Sequence, residues 1–130
     1  MNRFINPKSI SQPTGYTHVV ETRGNRTVYI SGQIALDQVG NIVGVGDMEA
    51  QAVQVFENLK AALAAVDATF DDVVKLSYFI VDISQMQTIR EVRNRYLNPA
   101  RLPASTAVEV RGLVSKEFLL EIEAVAVLND

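Results

Sequence analysis

The residues best suited to chemistry lie in two strand-like runs near the C-terminus. The runs are 103–110, Pro-Ala-Ser-Thr-Ala-Val-Glu-Val, and 119–126, Leu-Leu-Glu-Ile-Glu-Ala-Val-Ala. Because side chains alternate between the faces of a strand, each run groups its small polar or acidic residues on one face. These residues are Ser105, Ala107 and Glu109 in the first run, and Glu121 and Glu123 in the second. We expect small polar residues and carboxylates to converge on one site.

Glu121 is the strongest candidate for catalysis in this pair of runs. It lies in an otherwise apolar strand, where burial of an unpaired carboxylate is costly. Such a group can act as a general acid or base and orient a hydrolytic water. It can instead be a glutamate that is ion-paired at a subunit interface or simply solvated. The residues alone leave these interpretations open, whereas for Glu123 we favour a structural ion pair.

A glycine also interrupts a strand-like run earlier in the chain. The run 27–35 reads Thr-Val-Tyr-Ile-Ser-Gly-Gln-Ile-Ala and contains Ser31 and Gly32. Glycine weakens a strand unless something approaches the backbone closely. The approaching group is either a ligand that contacts free backbone groups, or a β-bulge or neighbouring strand.

The elements that must position these residues begin with a predicted β-hairpin. Runs 16–23 and 27–35 are rich in β-forming residues, and they flank the turn dipeptide at 24–25, Gly-Asn. A second turn signal at 37–41 leads into a short strand at 42–43.

Helical spacing then predicts two helices separated by a strand. The first helix extends from Asp47, its N-cap, to about Ala65. Residues 73–81 form a strand with two apolar faces, as in a covered sheet. Ser84 and Gln87 form a capping-box pattern at the start of a second, shorter helix. The order β-β-(short β)-α-β-α-β-β indicates an α+β fold in which helices cover one face of a single sheet.

Composition limits the classes of function. The 130 residues fit a single domain over 1–130. No apolar run approaches the length of a membrane span, and residues 1–10 do not resemble a secretion signal, so we expect a soluble, cytoplasmic protein without a membrane partner. With no cysteine and one histidine, His18, we expect no metal and no cofactor. A net charge of −3 gives no electrostatic basis for a nucleic-acid partner.

Together with 29–34, Tyr-Ile-Ser-Gly-Gln-Ile, the first C-terminal run resembles the Rid family, also called YjgF, and the resemblance extends over 16–127. The best-known members hydrolyse reactive enamines and imines to ketones and ammonia. The resemblance implies a chorismate-mutase-like fold with a mixed β-sheet and a homotrimer with clefts between neighbouring subunits. Such a trimer would cover apolar residues on the sheet face away from the helices, among them Val108 and Val125.

The resemblance also implies which residues line the cleft: Tyr16, Ser31, Gly32, Ser105, Thr106, Ala107 and Glu121. For Tyr16, the alternatives are a lid over the cleft and ordinary packing in a strand. Active deaminases of the family carry an arginine at the position of Ser105, where it grips the substrate carboxylate, and often a cysteine at that of Ala107. A serine hydroxyl cannot replace a bidentate guanidinium.

The missing arginine implies that 2-aminoacrylate is a poor substrate unless another cation substitutes. The first candidate for that cation is Arg90, near a position usually held by asparagine, and further options are Arg93, Arg101 and Arg111. Each can instead be a solvated or ion-paired surface arginine. The function implied is a small-metabolite hydrolase that acts on an imine, enamine or related labile bond. The alternative is a non-catalytic metabolite-binding trimer of the same fold.

Overall fold

Two helices pack against one face of a four-stranded sheet in the computed structural model, which describes residues 2–129. The terminal residues of the domain predicted over 1–130 lie outside the described range. The strands and helices are β1 Arg3–Ile5, β2 Val19–Glu21, β3 Arg26–Gln33, α1 Met48–Ala64, β4 Val73–Ile80, α2 Met86–Arg93, β5 Ala104–Glu109 and β6 Leu120–Leu128. Short 3₁₀ turns, Phe70–Asp72 and Ile83–Gln85, precede β4 and α2.

The main sheet has the strand order β3-β6-β4-β5. Strand β6 runs antiparallel to both β3 and β4, whereas β5 runs parallel to β4, so the sheet is mixed. The predicted α+β fold with two helices is therefore confirmed, but the prediction of a single sheet is wrong, because β1 and β2 form a separate two-stranded sheet. In the described part of the chain, no helix is both long and apolar enough to cross a bilayer.

Helix α1 follows its sequence signals closely. The Asp47 carboxylate accepts a hydrogen bond from the Ala50 N–H at 3.1 Å, which satisfies one free donor of the first turn. Phe56 and Leu59 on its apolar stripe are fully buried against the sheet, where Tyr78 and Ile122 contribute to the same core. The predicted N-cap and amphipathic helix are thus confirmed.

The predicted β-hairpin around residues 24–25 is wrong. Strand β2 pairs with the unpredicted N-terminal β1, and β3 pairs with β6 instead. A two-residue type I′ turn needs positive φ at both central residues, and neither Gly24 nor Asn25 has it. Gly24 rests against the end of β6, since a Cβ there would lie 2.7 Å from Val127 Cγ1. The predicted strand at 42–43 reduces to one bridge between Leu36 and Ile42.

The predicted capping box is also wrong. The Asp82 carboxylate accepts hydrogen bonds from the Ser84 hydroxyl at 2.7 Å and the Ser84 N–H at 3.0 Å. These bonds, the hydroxyl first, hold the pKa of Asp82 below its usual value. They cap the 3₁₀ turn, and α2 begins after it at Met86 without a side-chain cap. A charged carboxylate two residues earlier takes the donor that the box would have used.

Candidate functional site

The Glu121 carboxylate lies directly over the backbone of Gly32. A Cβ added to Gly32 would sit 1.9 Å from Glu121 Oε2, so the carboxylate occupies the space that any other side chain would fill. Glu121 is half-buried and has no hydrogen-bond or ion-pair partner among residues 2–129. The sequence did not decide which group approaches the Gly32 backbone closely. In the structure, this group is the Glu121 side chain.

A β-bulge explains how the two groups meet. Strand β3 pairs Ile30 with Ala124 and then Gln33 with Ile122, so Ser31 and Gly32 together lie opposite a single residue of β6. A bulge of this kind leaves backbone groups outside the ladder and bends the strand. The Ser31 carbonyl accepts a hydrogen bond from the Gln33 side chain at 3.0 Å. The adjoining space is a cavity of about 700 Å³ between β3 and α1, which Gly32 helps to line.

The expected convergence of the two C-terminal runs does not occur within one chain. One row across β5, β4 and β6 consists of Val108, Phe79 and Glu121, and another consists of Ser105, Leu76 and Ala124. The two rows are an odd number of residues apart along each strand, so they lie on opposite faces of the sheet. Ser105 and Ala107 share the face of the helices, whereas Glu121 and Glu123 share the open face.

Thr106 belongs with the glutamates on the open face. Its hydroxyl accepts a hydrogen bond from Lys75 Nζ at 2.7 Å, and its row across the sheet continues through Ser77 to Glu123. The same face exposes 80% of Tyr29 and 41% of Val108. An apolar and charged sheet face of this kind is typical of an interface.

Tyr16 lies in the N-terminal loop, next to the residue that contacts the segment leading into β5. The adjacent Thr17 ties the N-terminal loop to this region, because its N–H donates to the Pro103 carbonyl at 3.0 Å and its hydroxyl to the Leu102 carbonyl. The Tyr16 ring packs edge-on against His18 at 5.3 Å between centroids. It lies outside the strands, since β2 begins only at Val19, so packing within a strand is wrong. Tyr16 lines a surface cavity of about 550 Å³, and its role as a lid stays a prediction.

Arg90 lines a neighbouring cavity of about 650 Å³, which we name the α2 cavity. Its walls consist of Thr14, Gly15, Gln87, Arg90, Arg93, Asn94, Leu97, Pro99 and Leu102. Two guanidinium groups face this space, and no carboxylate contributes to its walls. Arg90 itself is exposed, whereas Arg93 is buried.

The burial of Arg93 was not predicted from the sequence, which offered this residue only as a further candidate for the missing cation. A signal for its burial was present, because residues 86, 89, 93 and 96 follow the three-and-four spacing of a buried helical stripe. Arginine at such a position is rare unless it is paired. Among residues 2–129, no group of three or more His, Cys, Asp or Glu side chains is arranged to hold a metal ion.

The fold and these positions define a Rid-type α+β protein, and comparison with known proteins agrees. The sequence matches the family described as Endoribonuclease L-PSP over residues 7–128. The chain therefore belongs to this family, the Rid or YjgF family. It superimposes on the Rid family protein YyfB from Yersinia pestis with a TM-score of 0.91 and 36% sequence identity, over 98% of each chain.

Two relatives have names that state an activity. The human 2-iminobutanoate/2-iminopropanoate deaminase is 35% identical over 103 residues, which are 79% of this chain and 74% of that protein. The 3-aminoacrylate deaminase RutC of Acinetobacter baylyi is 34% identical over 125 residues, or 92% of this chain and 98% of that protein.

Proposed function

We propose that this chain is a Rid-like hydrolase of small metabolites that acts on an imine, an enamine or a related labile bond. The two deaminases of about 35% identity support this class of reaction. The observation that carries the proposal is the Glu121 carboxylate, held over Gly32 and half-exposed without a partner among the described residues. A carboxylate that is placed but unpaired is free to accept a proton from water.

In the proposed reaction Glu121 orients a water molecule towards the carbon of a C=N bond. The imine reacts as its iminium form, which has taken one proton from solvent. As the C–O bond forms, the electron pair of the C=N π bond moves to nitrogen and Glu121 accepts a proton from the water. Glu121 then returns this proton to the nitrogen of the carbinolamine, the C–N bond breaks to release ammonia, and the hydroxyl proton returns to solvent as the C=O bond forms. Imine and water are thereby converted to ketone and ammonia, with no oxidant or reductant required. In this proposal, backbone groups of the bulge at Ser31 and Gly32 hold the ligand beside this water.

A single chain supplies only parts of this site, because Glu121 and Ser105 lie on opposite faces of the sheet. We therefore propose that a homotrimer completes each cleft, with the Glu121 face of one copy against the Tyr16 and Ser105 region of its neighbour. The exposure of Tyr29 and Val108 on the open face supports such packing, because a neighbouring copy would remove their apolar surface from water.

The chain is expected to be a stable trimer in solution. Three copies of a 14.3 kDa chain give a particle of about 43 kDa, the mass expected for the proposed cyclic trimer. Light scattering coupled to size exclusion measures this mass directly. A monomer at micromolar concentration would contradict both the trimer and the composite cleft.

Replacing Gly32 by alanine tests the contact with Glu121. The backbone φ of Gly32 is not in the positive region, so alanine adopts it without strain, and its Cβ meets only the far end of a flexible side chain. We expect the carboxylate to be displaced and turnover to fall about 10²-fold, while the free energy of unfolding changes by less than about 1 kcal/mol. Steady-state kinetics and thermal melting measure the two effects. Full turnover in this variant would mean that the position of Glu121 does not matter.

The proposed function is tested by ammonia release from freshly generated imines. An amino-acid oxidase supplies 2-iminobutanoate in place, and uncharged imines of similar size are prepared separately. We expect at least one of them to hydrolyse faster with the protein than in buffer at the same pH. If the protein accelerates none of them, the hydrolase proposal fails.

One observation favours the alternative, a metabolite-binding trimer without turnover. The family resemblance implies an arginine and often a cysteine at the positions of Ser105 and Ala107, and without them 2-aminoacrylate would not be held in the way that the resemblance implies. Binding of small metabolites without ammonia release from any imine would support this alternative.

The family description names a ribonuclease activity, which we do not propose for this chain. The net charge of −3 gives little attraction for a phosphate backbone. The α2 cavity, where two arginines lie, has no aromatic wall on which a base could stack.

A further inference from the structure

Arg93 is a buried cation without a carboxylate partner. Only 7% of the residue is exposed, and no Asp or Glu among residues 2–129 pairs with it. Its guanidinium donates two long hydrogen bonds to the neighbouring Asn94 Oδ1, from Nη2 at 3.3 Å and from Nε at 3.4 Å, and it also lies beside the neutral Tyr78 hydroxyl. Burial of a charge is costly unless it is well paired. An anion that binds there would supply the missing partner.

The N-terminal loop is shaped to admit this guanidinium. A Cβ on Gly15 would lie 2.4 Å from Arg93 Nη2, and Gly15 also has φ +78°, a conformation that favours glycine. The loop is held in place because the Thr17 N–H donates to the Pro103 carbonyl at 3.0 Å. The guanidinium therefore sits in a fixed slot, which limits the entropy lost when a ligand binds.

A second polar group is left without a partner next to the first. The Tyr78 hydroxyl is buried, and it makes no hydrogen bond of good geometry within the described residues. Burial raises the pKa of Tyr78 above its usual value, while the charge of nearby Arg93 acts in the opposite direction. Buried polar groups are normally satisfied, so a hydroxyl without a well-formed hydrogen bond, beside a cation without a carboxylate, is unusual.

The α2 cavity gives a ligand access to Arg93, which forms part of its wall. It holds about 650 Å³, enough for a small metabolite, and Arg90 adds a second positive charge at its exposed side. A planar guanidinium matches a planar carboxylate through two parallel hydrogen bonds.

We propose that the α2 cavity binds the carboxylate of a small organic acid, with Arg93 as the buried anchor and Arg90 as the outer cation. The substrate class that we infer is a small 2-imino or 2-oxo carboxylate, and this part of the inference rests on the proposed function. Arg93 then supplies from α2 the cation that Ser105 does not supply from β5.

The test is calorimetry with 2-oxobutanoate, a stable carboxylate, and 2-oxobutanamide, its uncharged counterpart. We expect the wild-type protein to prefer the acid by about tenfold or more, since at least one charge-assisted hydrogen bond is lost with the amide. Arg93→Met is expected to abolish that preference. Arg95→Gln is the matched control, because Arg95 lies two residues on and its Nη2 pairs with Glu49 on the surface at 2.8 Å. The control should keep the wild-type preference.

Arg93→Lys protects the test against misfolding of the methionine variant. It keeps a positive charge but cannot form the planar fork, so we expect an intermediate preference. The ratio of acid to amide affinity is informative because a partly unfolded sample weakens both ligands equally. An unchanged ratio in both Arg93 variants, no binding of the acid by the wild-type protein, or tighter binding of inorganic phosphate than of 2-oxobutanoate would each overturn the proposal. Since binding is measured without turnover, a failure here is distinct from a failure of the ammonia assay.

Discussion

Glu121→Gln is expected to lower hydrolytic turnover by a factor of about 10²–10⁴ and to leave the assembly intact. The amide keeps the shape of the side chain over Gly32 but cannot accept the proton that the attacking water gives up. Turnover is measured on the imine identified by ammonia release, and assembly by light scattering on the same sample.

Glu123→Gln is the matched control for this variant. Glu123 lies two residues along β6 on the same open face and is exposed to solvent, and the side-chain atoms nearest to Gly32 belong to Glu121 instead. Its replacement should change the free energy of unfolding by at most about 1 kcal/mol, with turnover little affected. If Glu121→Gln keeps full activity, or if it dissociates the oligomer, Glu121 is structural and the metabolite-binding alternative is preferred.

Two inactive variants are expected to restore activity when they are assembled together. In the proposed cleft one subunit contributes Glu121 and its neighbour contributes the region of Tyr16, Ser105 and Arg93. A cleft formed by the Glu121 side of an Arg93→Met subunit and the Arg93 side of a Glu121→Gln subunit contains both intact residues. Random mixing in equal amounts produces such clefts at about one quarter of the sites in a cyclic assembly.

The experiment unfolds and refolds the two variants together and compares the mixture with each variant refolded alone. We expect activity to rise from nearly none to about a quarter of the wild-type value. A control mixture of Glu121→Gln with the double variant, Glu121→Gln and Arg93→Met, has no intact cleft and should stay inactive. If mixed oligomers form but remain as inactive as their parents, the two residues do not act in one composite site.

Local signals in the sequence determined the helices and the strands that carry the candidate residues. Asp47 and the apolar spacing after it predicted α1, because a cap and a helical stripe depend on residues only a few positions apart. The alternation in 103–110 and 119–126 likewise predicted β5 and β6, and it correctly placed Ser105 with Ala107 and Glu121 with Glu123. The Ser-Gly pair in β3 predicted that some group approaches the backbone closely, but it did not indicate which group.

Tertiary structure decided which residues meet. The turn signal at Gly24 suggested a local hairpin, but β3 instead pairs with β6, far along the chain, and the bulge in that pairing sets Gly32 beneath Glu121. The position of β4 between β5 and β6 placed Ser105 and Glu121 on opposite faces, which no alternation within one strand could reveal. In the sequence, Arg93 cannot be distinguished from a surface arginine. Only the packing of α2 against Gly15 and Tyr78 makes it a buried cation without a carboxylate partner. Side-chain periodicity depends on one element alone. Strand register, the sheet face on which a residue lies and the burial of a residue depend on how elements distant in sequence pack together.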